Sequence, residues 1–289
     1  YEMLKKLELP KSFYKDLISN AKKMKIDFIS TPFDYESLNF LYSLRVPFFK
    51  VPSGEINNLP FLWKIANLKK NVILSTGMSN LSDIELALAV LNHGFSSRTQ
   101  PKDLDEVWAL WSKLDINKFR KKVSILHCLS NYPAKDNEVN LNAIKTLKKA
   151  FKIPVGFSDH SLGIHLPIAA IALGAVIIEK HLTLDKNLEG PDHSSSLEPL
   201  ELKKLVENIR SLENALGDGI KKTQKNEWEV RGKVRKKIVA SRKIKKGEKF
   251  SSKNLKIIRS ETGLYPENYW NLLGTISDKN YSENDSIDK

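Results

Sequence analysis

The chain has one cysteine, Cys128, among 289 residues. An internal disulfide is therefore excluded, and a cysteine-rich metal site with it. Long apolar runs are missing too: nothing approaches the ~18 residues that span a bilayer, and no charged-then-apolar leader opens the chain. A lone thiol with neither span nor leader makes cytoplasmic residence the expectation, with no membrane partner. Cys128 closes an apolar run and reads as a small packed residue rather than a nucleophile. Glycine-rich phosphate loops of both common patterns are absent. Acidic residues are short as well, 34 Asp and Glu against 47 Lys and Arg, for a net charge of +13. That excess raises nucleic acid, a membrane surface or a small anion as partners. Much of it is concentrated between Lys221 and Lys256, interrupted by Trp228. Nucleic-acid modules interleave aromatics or show a helix or finger pattern, so the run reads as solvated linker and nucleic acid is not expected.

With 41% hydrophobic residues the chain can bury a large core. Short β-branched runs alternate with amphipathic stretches, the pattern of parallel βα units. Helix Ser12 to Lys25 is followed by strand Phe28 to Ser30 and helix Tyr35 to Leu44, strand Phe48 to Val51 and helix Leu59 to Leu68, and strand Val72 to Ser75 and helix Leu81 to Leu91. After an interruption come strand Val123 to His127 and helix Leu141 to Phe151, strand Val155 to Ser158 and helix Ile164 to Leu173, and strand Val176 to Glu179 with helix Pro199 to Leu216. Polar clusters follow nearly every strand, which favours a (β/α)8 TIM barrel over an open sheet with one switch point. These six strands, a leading helix without its strand and a first residue that is Tyr1 predict a fragment lacking the first βαβ segment. Residues 94–121 read as a surface insertion with its own short helix. The expected domains are a partial barrel at 1–216, a linker at 217–235 and a small β-rich domain at 236–289.

His160 and His181 each end a strand. In a barrel such ends face the active site, and the pair fits either strand capping or a divalent metal. Ser75, Ser130 and Ser158 with Lys50 make a phosphate cradle, hydroxyls donating hydrogen bonds and lysine a point charge, although each serine alone is an ordinary turn residue. Glu55 and Asp192 suit sugar hydroxyls, proton handling or helix capping. Lys180 should point away from His181 by strand alternation. His127 reads as a satisfied buried histidine, His93 and His165 as exposed on helices.

The runs Ser30-Thr31-Pro32-Phe33, Lys50 to Glu55, Leu74-Ser75-Thr76-Gly77-Met78, Gly156-Phe157-Ser158-Asp159-His160, Glu179-Lys180-His181-Leu182-Thr183, Gly190-Pro191-Asp192-His193 and Ser196-Leu197-Glu198-Pro199 resemble the sialic acid synthase family. The tail Ile238 to Ile287 looks like the antifreeze-like SAF (β-clip) domain that ends these enzymes. The resemblance covers essentially the whole chain apart from residues 94–121. It implies condensation of phosphoenolpyruvate with an N-acetylated amino sugar, N-acetylmannosamine or 2,4-diacetamido-2,4,6-trideoxymannose, to a nine-carbon 2-keto-3-deoxy acid and phosphate. By the same resemblance His160 and His181 match ligands of a divalent metal, Mn2+ or Mg2+, and Lys50, Ser75, Ser130 and Ser158 the phosphoenolpyruvate site. Thr31, Glu55, Tyr132 and Asp192 match the sugar site, and Arg259 the SAF-domain arginine that serves the partner subunit in a domain-swapped homodimer. Two other readings stand beside it. One is a 3-deoxy-heptulosonate-type aldolase using phosphoenolpyruvate, against which the SAF-like tail argues; the other is a basic protein that binds nucleic acid or anionic glycan through the Lys221 to Lys256 run.

Overall fold

The computed structural model describes Lys5 and residues 8–288. Two compact units divide between Gly217 and Asp218. The first holds a parallel sheet of five strands, β1 (Phe48–Val51), β2 (Asn71–Ser75), β3 (Val123–Cys128), β4 (Val155–Asp159) and β5 (Ile178–Lys180), in the spatial order of the sequence. Sequential order with every crossover in the same sense curls a parallel sheet on itself, and the result is a half-barrel.

Helices flank this sheet: α1 (Phe13–Lys23), α2 (Tyr35–Ser43), α3 (Leu59–Asn67), α4 (Leu81–Ser96), α5 (Leu104–Trp111), α6 (Ile116–Phe119), α7 (Ala143–Phe151), α8 (His165–Ala172) and α9 (Pro199–Leu216). Their starts are set by local chemistry. Asp34 and Asp103 accept from the amides of Ser37 and Glu106, and Asn80 with Asp83 and Glu198 with Glu201 close reciprocal capping boxes on α4 and α9.

Strand alternation sorts the two faces of the sheet. Phe49, Val51, Val72, Leu74, Val123, Ile125, Val155 and Phe157 share one face in the parallel register and form one buried cluster with Leu62, Ile65, Leu88 and Leu91 of the helices. At ~25 cal/mol per Å2 of apolar surface, this layer is the main stabilising element of the unit. The opposite, inner face carries Lys50, Ser75, Leu126, Cys128, Ser158 and Glu179. It is where the chemistry is concentrated.

Five strands stand where six are expected. Phe28 to Ser30 is extended chain without a ladder: no neighbouring strand among the described residues pairs with it, and a strand exists only through its partner's hydrogen bonds. Phe28 packs edge-on against Tyr14 of α1 instead. The excursion at 94–121 holds two helices, α5 and α6, and α4 runs on to Ser96. His93 is the second correction, since it is wholly buried, with Nε2 3.4 Å from Glu106 on α5.

The second unit opens with α10 (Glu227–Val234), so the segment 217–235 is partly helical rather than plain linker. Then β6 (Lys236–Ala240) and β7 (Leu255–Arg259) pair antiparallel, followed by α11 (Tyr269–Leu272). Bridges from Val239 to Ser286, Ile244 to Tyr281 and Lys249 to Ile276 tie the turns around a core of Ile238, Ile244, Phe250, Tyr281 and Ile287.

Candidate active site at the strand ends

The carboxyl ends of β1 to β5 bring most of the singled-out residues of the first unit onto one inner surface. Lys50 Nζ lies 3.1 Å from Glu179 Oε2, and Ser158 Oγ donates to Glu179 Oε1 at 2.6 Å. Glu179 therefore ties β1 to β4 from its place on β5. Ser75 Oγ is buried and has no hydrogen-bond partner. Unsatisfied buried hydroxyls are costly, so this one is suited to an acceptor brought by a ligand. Beyond β2, Gly77 N donates to Ser53 Oγ at 2.9 Å. A Cβ at Gly77 would displace the hydroxyls of Ser130 and Ser53, so the missing side chain lets the loops after β1, β2 and β3 meet there with both hydroxyls in place.

The two histidines lie beside this cradle, ring centroids 5.4 Å apart. His160 is 7% exposed and its Nδ1 lies 2.7 Å from the carbonyl oxygen of Leu129. A carbonyl only accepts, so Nδ1 carries the proton and Nε2 keeps a free lone pair. Burial pushes the His160 pKa down, only partly offset by the Leu129 hydrogen bond, which favours the neutral ring. His181 Nδ1 lies 3.9 Å from Asp192 Oδ2. Tyr132 covers both rings, tilted over His160 at 4.0 Å between centroids and edge-on to His181 at 5.7 Å. Its pKa is raised, first by burial and then by the charges of Cys128, Asp192 and Glu179.

Under the histidines sits a buried ion pair. Lys180 Nζ lies 2.6 Å from Asp159 Oδ2 with the side chains 3% and 0% exposed, and Lys180 also donates to the Ser161 carbonyl. Asp159 Oδ1 accepts from Ser161 N at 2.9 Å. Lys180 thus turns away from the inner face, as alternation predicts, and clamps together the residues that precede His160 and His181. Cys128 is buried, its Sγ 4.0 Å from His160 Nδ1. His127 stacks on Phe157 and hydrogen-bonds the Val139 carbonyl at 2.7 Å.

Three singled-out residues stand apart from this network. Glu55 ends a short 3-10 turn after β1 and accepts from Asn58 Nδ2 at 2.7 Å. Thr31 precedes α2 and makes no hydrogen bond with any of the others. Arg259 belongs to the second unit, where its Nε donates to the Lys233 carbonyl at 3.2 Å. Sequence reasoning missed the role of Glu179. The sequence carried part of the signal, since a carboxylate on the inner face of a barrel strand needs a cation or hydroxyl to satisfy it; the register that sets Glu179 against Ser158 is visible only in the sheet.

Among the described residues no group of three or more His, Cys, Asp and Glu is arranged to hold a metal ion, and no helix is long and apolar enough to cross a membrane. Residues 1–221 match the model of the NeuB family. An N,N'-diacetyllegionaminic acid synthase of Campylobacter jejuni is 49% identical over 99% of this chain and 79% of its own length. Another of that name from Legionella pneumophila is 40% identical over 98% and 74%. Among solved structures, the N-acetylneuraminic acid synthetase of Leptospira borgpetersenii in complex with citrate superposes with a TM-score of 0.67 at 35% identity, covering 79% of this chain and 72% of that one.

Proposed function

The chain belongs to the NeuB family, and we propose that it condenses phosphoenolpyruvate with an N-acetylated amino sugar to a nine-carbon 2-keto-3-deoxy acid and phosphate. One observation carries the reading. Lys50, Ser158 and the unpartnered Ser75 hydroxyl share the inner face at the same strand ends as the histidine pair. Lysine and hydroxyl donors suit the phosphate and carboxylate of the enol phosphate, and Ser130, beside Gly77, extends them. In the free protein Glu179 holds Lys50 and Ser158 turned inward; Lys50 keeps spare N–H donors, whereas Ser158 spends its one O–H on Glu179 and turns to the substrate only by giving up that bond.

Two neighbouring imidazoles support a divalent cation such as Mn2+ or Mg2+, with substrate and water completing its shell: His160 keeps a free Nε2 lone pair, and His181 lies beside it with Asp192 as neighbour. Held by His160 and His181, such an ion supplies Lewis-acid polarisation of the open-chain sugar aldehyde. The carbon–carbon bond forms between C3 of phosphoenolpyruvate and the aldehyde carbon; water then adds at C2 and phosphate leaves with its bridging oxygen. The enol phosphate brings its own nucleophilic carbon, so Cys128 and the serines need only pack and bind. Tyr132 and Asp192 flank the histidines and are assigned, with Thr31, to the sugar. Glu55 is assigned proton handling on that sugar. The second unit is assigned as an SAF domain whose Arg259 serves the site of a second subunit in a swapped homodimer, in the cytoplasm.

The names of the Campylobacter and Legionella relatives support 2,4-diacetamido-2,4,6-trideoxymannose as acceptor over N-acetylmannosamine. Phosphate release from phosphoenolpyruvate, measured with each sugar and Mn2+, tests the proposal. Release with the diacetamido sugar supports it, and no release with either sugar overturns it.

A further inference from the structure

A cavity of about 540 Å3 opens at the end of the half-barrel opposite the histidines. Lys69, two residues before β2, and Lys121 and Lys122, directly before β3, line it, so it lies at the amino-terminal edge of the strands. The length of β2, five residues at ~3.3 Å each, separates it from Ser75. Residues of the 94–121 excursion supply most of its wall.

We propose that this cavity is a second binding site, for a small phosphorylated ligand with a flat, largely apolar body. Its floor is Phe95, Leu110, Leu114 and Phe119, with Phe119 braced edge-on by Phe95 at 6.3 Å and Trp111 at 5.8 Å between centroids. Its rim is cationic and unbalanced. Lys113, Lys121 and Lys122 have no acidic partner among the described residues. The other two lysines are committed: Lys69 Nζ donates to the carbonyls of Gly94 and Phe95 at 2.8 Å each, and Lys118 Nζ lies 3.4 Å from Asp115. Asp115 is the one acid on the lining, and its carboxylate already accepts from the amides of Asn117 and Lys118. Three free ammonium groups around one opening suit a phosphate of about −1.5 to −2 charge better than a single carboxylate. A flat body of nucleobase size covers the floor, and the volume is in the range of small-ligand sites. The site is separate from the proposed phosphoenolpyruvate donors, which lie on the inner face at the other strand ends.

Calorimetric titration with AMP, CMP, adenosine, glucose 6-phosphate and inorganic phosphate tests this. At low salt a nucleoside monophosphate is expected to bind saturably, at least about tenfold more tightly than adenosine, glucose 6-phosphate or inorganic phosphate, and more weakly as salt rises. The double variant Lys113→Glu/Lys121→Glu should lose at least about tenfold in affinity with an unchanged melting temperature, while Lys50→Met should bind as the parent does. Absence of saturable binding, equal binding of glucose 6-phosphate, full affinity in the double variant, or loss in Lys50→Met would each overturn the proposal.

Discussion

Ser75 carries more information than its size suggests. Its hydroxyl is buried without a partner, so removing it relieves a desolvation cost in the free protein and takes a donor from the bound ligand. Ser75→Ala is therefore expected to melt at or above the parent temperature while its KM for phosphoenolpyruvate rises about 10- to 100-fold, the worth of a hydrogen bond to a charged group. A melting temperature that drops with KM unchanged would mark a structural serine. The histidines make the complementary case. His160→Ala or His181→Ala should lower turnover by about a thousandfold or more and weaken Mn2+ binding followed by electron paramagnetic resonance. Unchanged Mn2+ affinity would remove them as ligands. That Ser75, Lys50 and the two histidines stand at strand ends was legible in the sequence. Glu179 was visible as a residue and unread as a partner, because the sequence does not display that β1 and β4 donors converge on β5.

The next scale is the strand, whose period of two separates chemistry from packing. On β4 and β5 the inward Ser158 and Glu179 alternate with the outward Asp159 and Lys180, and the outward pair is fully desolvated. Breaking one partner leaves a buried charge. Lys180→Met is expected to cost about 3–5 kcal/mol in chemical denaturation, whereas Asp159→Leu/Lys180→Met, which removes both charges, should recover most of that loss. Equal destabilisation of single and double variants would show that the clamp contributes through packing alone. In the second unit, Glu248 is held down to about 2 by the Arg242 hydrogen bond, the Lys245 amide and Asn254. Its carboxylate stabilises fully above the ordinary glutamate range and loses that contribution as pH falls toward 2, so Glu248→Gln should flatten the acid limb of that unit's melting curve. Helix and strand positions were largely legible from periodicity and caps. Phe28 to Ser30 was not, since its strand-favouring Phe28-Ile29 pair is read the same whether or not a neighbour pairs with it.

For the whole molecule, pH couples to the fold through buried imidazoles. Burial lowers the pKa of His127, whose Nε2 donates to the Val139 carbonyl. The unfolded chain takes up this proton near pH 6.5 while the folded one resists, so stability should fall as pH drops through about 6.5. Urea unfolding of His127→Gln should show a shallower fall between pH 7 and 5 than the parent; an identical slope would assign the effect to other groups. Composition, the lone Cys128 and the period-two and helical patterns already dictate an α/β chain with polar strand ends, because these follow from local sterics and burial alone. Motif order did the same for the family. Tertiary structure decided what depends on juxtaposition: the parallel register that sets Lys50, Ser158 and Glu179 on one face, the burial of His93 beneath the excursion, and the Asp159–Lys180 clamp under the histidines. Each joins residues far apart in sequence, whose free energy of contact arises only once the sheet has curled.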